Sequence, residues 1–243
     1  ISGFEMCLPM NSGAEAVETA IKSSRRWAYR TKKVKPGKAE IIVAEGNFHG
    51  RTTTIISFST DENSRHDFGP HTPGFVTVKY GCAESLEAAI NENTAAVLIE
   101  PIQGEAGIVV PPENYLPKVR EICSKHNVLM ILDEIQSGLG RTGKLFAYEH
   151  SNIQPDGLIL GKALGGGFMP VSCFLSSEEV LHWMNPGSHG STFGGNPLAA
   201  ALAKRSIELL EEEGLIENSR IMGDYFKESL LNLNSKIIKE IRG

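Results

Sequence analysis

The sequence predicts an α/β domain built on a mainly parallel sheet with helices on both faces. Three observations predict it. Short apolar runs at 41–44, 95–99, 128–132 and 158–160 read as buried strands and alternate with helical stretches. Three of these runs end at or near a chemically active side chain, Glu100, Asp133 or Lys162. Open α/β sheets gather their functional residues at the carboxyl ends of strands. Turns that suit a phosphate lie at Ser12 with Gly13 and at Ser191 with Thr192.

Composition bounds the rest. A chain of 243 residues, 41% hydrophobic and 22% charged, can bury a core and is not a disordered tail. The net charge of -5 is spread without long single-sign runs, so no basic face for nucleic acid is expected. No apolar run reaches membrane-spanning length. Cys7, Cys82, Cys123 and Cys173 are too widely spaced for a disulfide framework, which points to a reducing compartment and a cytoplasmic location, with the mitochondrial matrix as the alternative. His66 with His71, and Cys123 with His126, approach metal-ligand spacing but lack a second pair nearby, so no metal site is expected.

In chain order, Leu8-Pro9-Met10-Asn11-Ser12-Gly13 reads as a turn feeding a helix capped by Asn11 or Ser12. Glu15 and Glu18 suit its first turns, and Ala14, Val17, Ile21 and Ala28 give it an apolar stripe. The cap is either a phosphate seat or an ordinary helix start. After the strand at 41–44, Gly46-Asn47-Phe48-His49-Gly50-Arg51-Thr52 is a compact loop with a ring to stack on a planar ligand and a guanidinium to grip a carboxylate. His49 fits either a site or a packed loop. Residues 68–75 read as an irregular connection, 84–92 as a helix, and 95–99 as a strand running into Glu100-Pro101-Ile102-Gln103-Gly104-Glu105-Ala106-Gly107. A helix at 115–125 precedes the most apolar strand, 128–132, which stops at Asp133-Glu134.

Gly138-Leu139-Gly140-Arg141-Thr142-Gly143 matches the dinucleotide fingerprint G-x-G-x-x-G, a rival signal for a nicotinamide-dependent oxidoreductase. The fingerprint should leave its strand directly and open a helix, and five residues intervene here. Past the strand at 158–160, Lys162 is followed by Gly165-Gly166-Gly167, which let backbone approach a flat ligand. The P-loop pattern fails, because Asp156 and Ala163 stand where it needs Gly and Ser or Thr. A strand at 171–175, a short helix at 177–184, and a Gly/Ser-rich loop at 187–197 lead to a helix from Pro197 to about Glu213. A final amphipathic helix carries Met222, Phe226, Leu230 and Leu233.

A strand-end aspartate, a strand-end lysine, an aromatic ring and a phosphate seat match the needs of pyridoxal 5'-phosphate. That cofactor needs a Schiff-base lysine and a carboxylate for its pyridine nitrogen. Asp133 and Lys162, expected to be buried, would each gain a partner from it.

These motifs, with Asn11-Ser12-Gly13-Ala14-Glu15-Ala16, Asp133-Glu134-Ile135-Gln136-Ser137, Leu160-Gly161-Lys162-Ala163-Leu164 and His189-Gly190-Ser191-Thr192-Phe193-Gly194-Gly195-Asn196-Pro197, resemble the class III, fold type I pyridoxal-phosphate aminotransferases nearly end to end. The similarity is greatest to members that move the δ-amino group of ornithine to 2-oxoglutarate, giving glutamate 5-semialdehyde and glutamate. Members acting on acetylornithine are the nearest rival. Ala106 and Asn185-Pro186-Gly187-Ser188-His189-Gly190 favour ornithine.

The resemblance implies roles for individual residues. Lys162 would hold the cofactor covalently and move a proton. Asp133 would keep the pyridine nitrogen protonated, Gln136 would bond the ring oxygen, and Phe48, with His49 beside it, would line the ring. Ser12, Gly13 and Ala14 would hold the phosphate, with Ser191 and Thr192 reaching it across a homodimer with shared sites. Arg51 would bind a substrate carboxylate, Glu100 would sit close to the cofactor, and Glu105 would pair with an arginine outside this chain. Residues 1–216 would be the cofactor-binding large domain, lacking part of its N-terminal side, and 217–243 the start of a small C-terminal α/β domain. The chain opens on Ile1 rather than Met, and an incomplete form is the expectation. A scaffold that has lost its cofactor is the remaining alternative, and intact Lys162 and Asp133 argue against it.

Overall fold

The computed structural model describes residues 2–243. Seven strands form one sheet: β1 (Met6–Met10), β2 (Glu40–Ala44), β3 (Phe75–Val78), β4 (Thr94–Ile99), β5 (Leu129–Asp133), β6 (Gly157–Leu160) and β7 (Ser172–Ser176). Their spatial order is β1-β7-β6-β5-β4-β2-β3. The run from β3 to β6 is parallel, whereas β7 pairs antiparallel with both β6 and β1. The mainly parallel sheet expected from the sequence is therefore present, with an antiparallel margin.

Side chains alternate across it. Ile42, Val97, Met130, Leu132, Leu158 and Leu160 face one core, and Ile41, Val43, Leu98, Ile131 and Ile159 face the other. Both faces are buried because helices cover both, which explains why these strands read as continuous apolar runs. On one face lie α1 (Gly13–Trp27), the short α2 (Thr53–Ile56) and, after α3 (Glu62–Arg65), the single turn α6 (Glu178–Leu181). On the other lie α4 (Ala83–Ala89), α5 (Tyr115–Lys125) and the start of α7 (Pro197–Glu212). The last helix, α8 (Leu215–Asn232), buries no residue, and Met222, Tyr225 and Phe226 are exposed on it. No helix is long and apolar enough to cross a membrane among the described residues. All four cysteines are free, and no three metal-ligating side chains gather there.

α5 occupies the residues read from its periodicity. Leu116, Val119, Ile122 and Cys123 recur at helical spacing and are buried. Two strands escaped the sequence reading. β1 contains Pro9 and looked like a turn, but it lies at a sheet edge, where a missing N–H is tolerated. β3 is the other edge strand, short and only partly buried, and it hides behind the turn residues at 68–74. The boundary expected near residue 216 falls in the first turn of α8.

Ser12 caps α1 with a full capping box. Its Oγ accepts from Glu15 N at 3.3 Å, and Glu15 Oε2 accepts from Ser12 N at 2.7 Å. Ser12→Ala is expected to lower stability by about 1 kcal/mol, read as a shift of the urea midpoint at unchanged slope.

Candidate active site

The carboxyl ends of β2, β4, β5 and β6 converge, and close approaches at glycines fix how. A Cβ on Gly13 would lie 2.9 Å from Ile135 Cδ1, and one on Gly161 would lie 3.4 Å from Ile135 Cγ2. Ile135 is thus the common surface on which the start of α1, the end of β5 and the turn after β6 meet. Gly50, at φ +129°, presses on Ala14, where an added Cβ would stand 2.9 Å from the alanine Cβ. This seats the 46–52 loop against the same helix start. Ser12, Gly13, Ala14, His49, Asp133, Gln136 and Lys162 are brought together as the sequence reading anticipated.

Lys162 begins a tight 3-10 turn, Lys162–Gly165, and its own backbone is left-handed at φ 44°. A non-glycine residue held there costs on the order of 1 kcal/mol, and such strain recurs at functional sites. Its Nζ donates to Gln136 Oε1 at 2.6 Å. The side chain is exposed, which corrects the expected burial. The left-handed residue turns the chain out of the sheet and toward solvent.

Asp133 ends β5 and is 4% exposed. Its Oδ1 accepts from Ile135 N at 3.0 Å, and its Oδ2 pairs with His49 Nδ1 at 2.7 Å. It is therefore not the unpaired buried charge that the sequence suggested. His49 is buried, and its Nε2 has no partner. Burial disfavours the imidazolium, but the hydrogen bond and charge of Asp133, with the charge of Glu100, outweigh it and raise the His49 pKa. Glu100 lies beside the pair, and its carboxylate accepts from Phe48 N at 3.0 Å. Burial above all, with Asp133 adding to it, pushes Glu100 up to about 7, against the pull of His49.

Folding therefore raises the affinity of Glu100 for its proton. Between its ordinary 4.5 and about 7, the folded state holds the proton that the unfolded state has lost, so stability falls as pH rises through this window. Glu100→Gln is expected to flatten that fall, checked by urea titrations at pH 4.5, 6 and 8.

Phe48 is half-buried, with the Arg51 guanidinium 6.0 Å from its ring centre. Asn11 Nδ2 donates to Ser191 Oγ at 2.7 Å, so Ser191 sits at the N-terminus of α1 in its own chain. Arg51, Glu105 and Thr192 are exposed, and none is joined to another site residue by a hydrogen bond or ion pair among the described residues. The local reading also missed Ile135, Gly104 and Glu134. Glu134 is buried, and its carboxylate accepts from Ala147 N at 2.7 Å and Tyr148 N at 2.8 Å. The acidic doublet at a strand end was the available signal. Gly140 and Gly143 of the rival fingerprint, at φ 87° and 81°, make room for Ile216 and Arg220 of α8. Their role is packing.

The cradle fits a flat anionic aldehyde. The amides of Gly13 and Ala14 at the helix start carry no acceptor among the described residues, Asp133 is a buried carboxylate with lone pairs to spare, and Lys162 offers an amine. The family model described as Aminotransferase class-III matches residues 1–243. The chain belongs to the class-III aminotransferase family.

The ornithine aminotransferase of Brevibacillus brevis is 57% identical over 243 residues, covering 100% of this chain and 61% of that protein. A solved ornithine aminotransferase of Toxoplasma gondii, described as having pyridoxal phosphate at partial occupancy, superimposes with a TM-score of 0.98 at 44% identity. It covers 100% of this chain and 58% of that one. The acetylornithine aminotransferase of Elizabethkingia anophelis gives a TM-score of 0.88 at 49% identity, covering 100% and 60%. This class-III chain spans about 61% of the length of its first curated relative. The fold type I expectation holds, since the whole sheet and its flanking helices superimpose on these class-III structures.

Proposed function

We propose that the chain is the cofactor-binding large domain of a pyridoxal-phosphate aminotransferase that moves the δ-amino group of ornithine to 2-oxoglutarate, giving glutamate 5-semialdehyde and glutamate. The observation that carries it is the Lys162 amine held 2.6 Å from Gln136 beside the buried Asp133–His49 pair. The 57% identity to an ornithine aminotransferase supports the donor. When bound, pyridoxal phosphate supplies an electron sink next to the amino acid's reacting carbon.

Each part then has a task. The Gly13 and Ala14 amides, with Ser12 and the α1 dipole, hold the phosphate. Asp133, its orientation fixed by His49 and Ile135 N, keeps a proton on the pyridine nitrogen. Gln136 would bond the ring oxygen and, through its contact with Lys162, orient the amine that carries the proton at the reacting carbon. Phe48 stacks on the ring, and Arg51 grips a substrate carboxylate.

Two copies are proposed to share sites, with Thr192 reaching the neighbour's phosphate. Exposed Phe168 and Phe193 support a covered surface here. Residues 217–243 are proposed to open the small domain, and Glu105 to pair with an arginine outside this chain. Free thiols suit the cytoplasm.

The test uses the protein containing this chain, loaded with pyridoxal phosphate. Ornithine and 2-oxoglutarate should yield the semialdehyde, trapped with o-aminobenzaldehyde. A higher kcat/KM on N-acetylornithine would favour the second reading, to which the 49% identity with the Elizabethkingia enzyme lends weight.

A further inference from the structure

We propose that Gly104 is a positioning residue whose missing side chain presses the Gln136 amide against Lys162, an inference that rests on the reading of Lys162 as the cofactor-bearing lysine. A Cβ on Gly104 would lie 2.5 Å from both Cδ and Nε2 of Gln136 and 2.8 Å from its Oε1. These distances are closer than non-bonded atoms approach, so the amide would have to move. Gly104 has no left-handed backbone, so space and not conformation demands glycine. The Oε1 of the same amide accepts from Lys162 Nζ at 2.6 Å. Gln136 thus meets both a bare backbone wall and the amine.

That wall cannot retreat. The Gly104 carbonyl accepts from Gly107 N at 3.1 Å and Ile108 N at 3.2 Å. Neighbouring Gln103 exchanges both backbone bonds with Val109, and its Nε2 donates to Glu45 O at 2.7 Å. The base of the Gln136 loop is equally fixed. Glu134 closes it through the Ala147 and Tyr148 amides, and its carbonyl accepts from Gly138 N at 3.0 Å. With both anchors set, an added methyl at position 104 must displace the Gln136 amide. The amine of Lys162 then loses the acceptor that aims it.

The test is a double-mutant cycle read first without cofactor. Gly104→Ala alone should lower the thermal midpoint of the unloaded protein by about 5 °C, as overpacking does. In a Gln136→Ala background the same change should be neutral or slightly stabilising, because the obstructing amide is gone and alanine stiffens the unfolded chain. Equal shifts in both backgrounds would overturn the proposal. If Gly104→Ala does not fold, recovery of folding in the double variant supports it, and failure of the double variant overturns it.

The second reading is spectroscopic. In protein loaded with pyridoxal phosphate, Gly104→Ala should move the pH midpoint of the bound cofactor's absorbance in the same direction as Gln136→Ala, and kcat should fall about tenfold or more. A Gly104→Ala midpoint identical to the parent would sink the positioning role. Failure of the parent to take up cofactor would instead sink the proposed function, leaving the cofactor-free cycle to judge the clamp by itself.

Discussion

Replacing Lys162 with alanine is expected to abolish covalent retention of pyridoxal phosphate while leaving the fold intact. The side chain is exposed and makes one side-chain hydrogen bond, to Gln136, so its removal opens no cavity and strands no buried charge. The strained left-handed backbone at this position is tolerated no worse by alanine than by lysine. Catalytically the effect should be large, because the amine is the proposed proton carrier at the reacting carbon and such groups contribute about 10²–10⁴-fold. Borohydride reduction followed by peptide mapping should label Lys162 in the parent protein and nothing in the variant. A label on any other lysine would assign the site elsewhere.

Asp133→Ala should have the second largest effect, and on stability the larger one. His49 would be left fully buried with its partner gone and its Nε2 already unpartnered. Breaking a buried pair from one side typically costs about 3–5 kcal/mol. The pH dependence has a definite sign. The folded pKa of His49 is raised, so the stabilisation from its protonated form is fully present below its ordinary 6.5 and is lost as pH rises through the raised value. The difference in unfolding free energy between parent and Asp133→Ala should therefore be greatest at pH 5 to 6 and shrink in alkali. Asp133→Asn separates charge from shape, since an amide oxygen can still accept from Ile135 N. It should retain more stability but show the same loss of pH dependence. A pH-independent difference for both variants would mean that His49 is never charged in the folded protein.

Much of this protein is legible locally. Apolar runs bounded by turns place the strands 41–44, 95–99 and 128–132, and side-chain period places the helix at 115–125, because each signal is carried by residues within a few positions of one another. The strand ends, and with them Glu100, Asp133 and Lys162, follow from where apolar runs stop. The edge strand Met6–Met10 could not be read this way. Its partner is Ser172–Ser176, more than 160 residues away, and Pro9 disguises it.

Motifs and chain order by themselves determined the fold class and the family, and named the side chains proposed to react. Tertiary structure decided what each of those side chains touches. Asp133 meets His49 across 84 residues, Lys162 is left open instead of buried, and Ile135 becomes the surface on which Gly13 and Gly161 close. Gly104 is a turn residue in the sequence and a wall against Gln136 in the fold. The physical reason is range. Periodicity and turn chemistry act between neighbours in the chain, whereas hydrogen bonds, burial and steric exclusion act between neighbours in space, which only the packed sheet and its helices bring together.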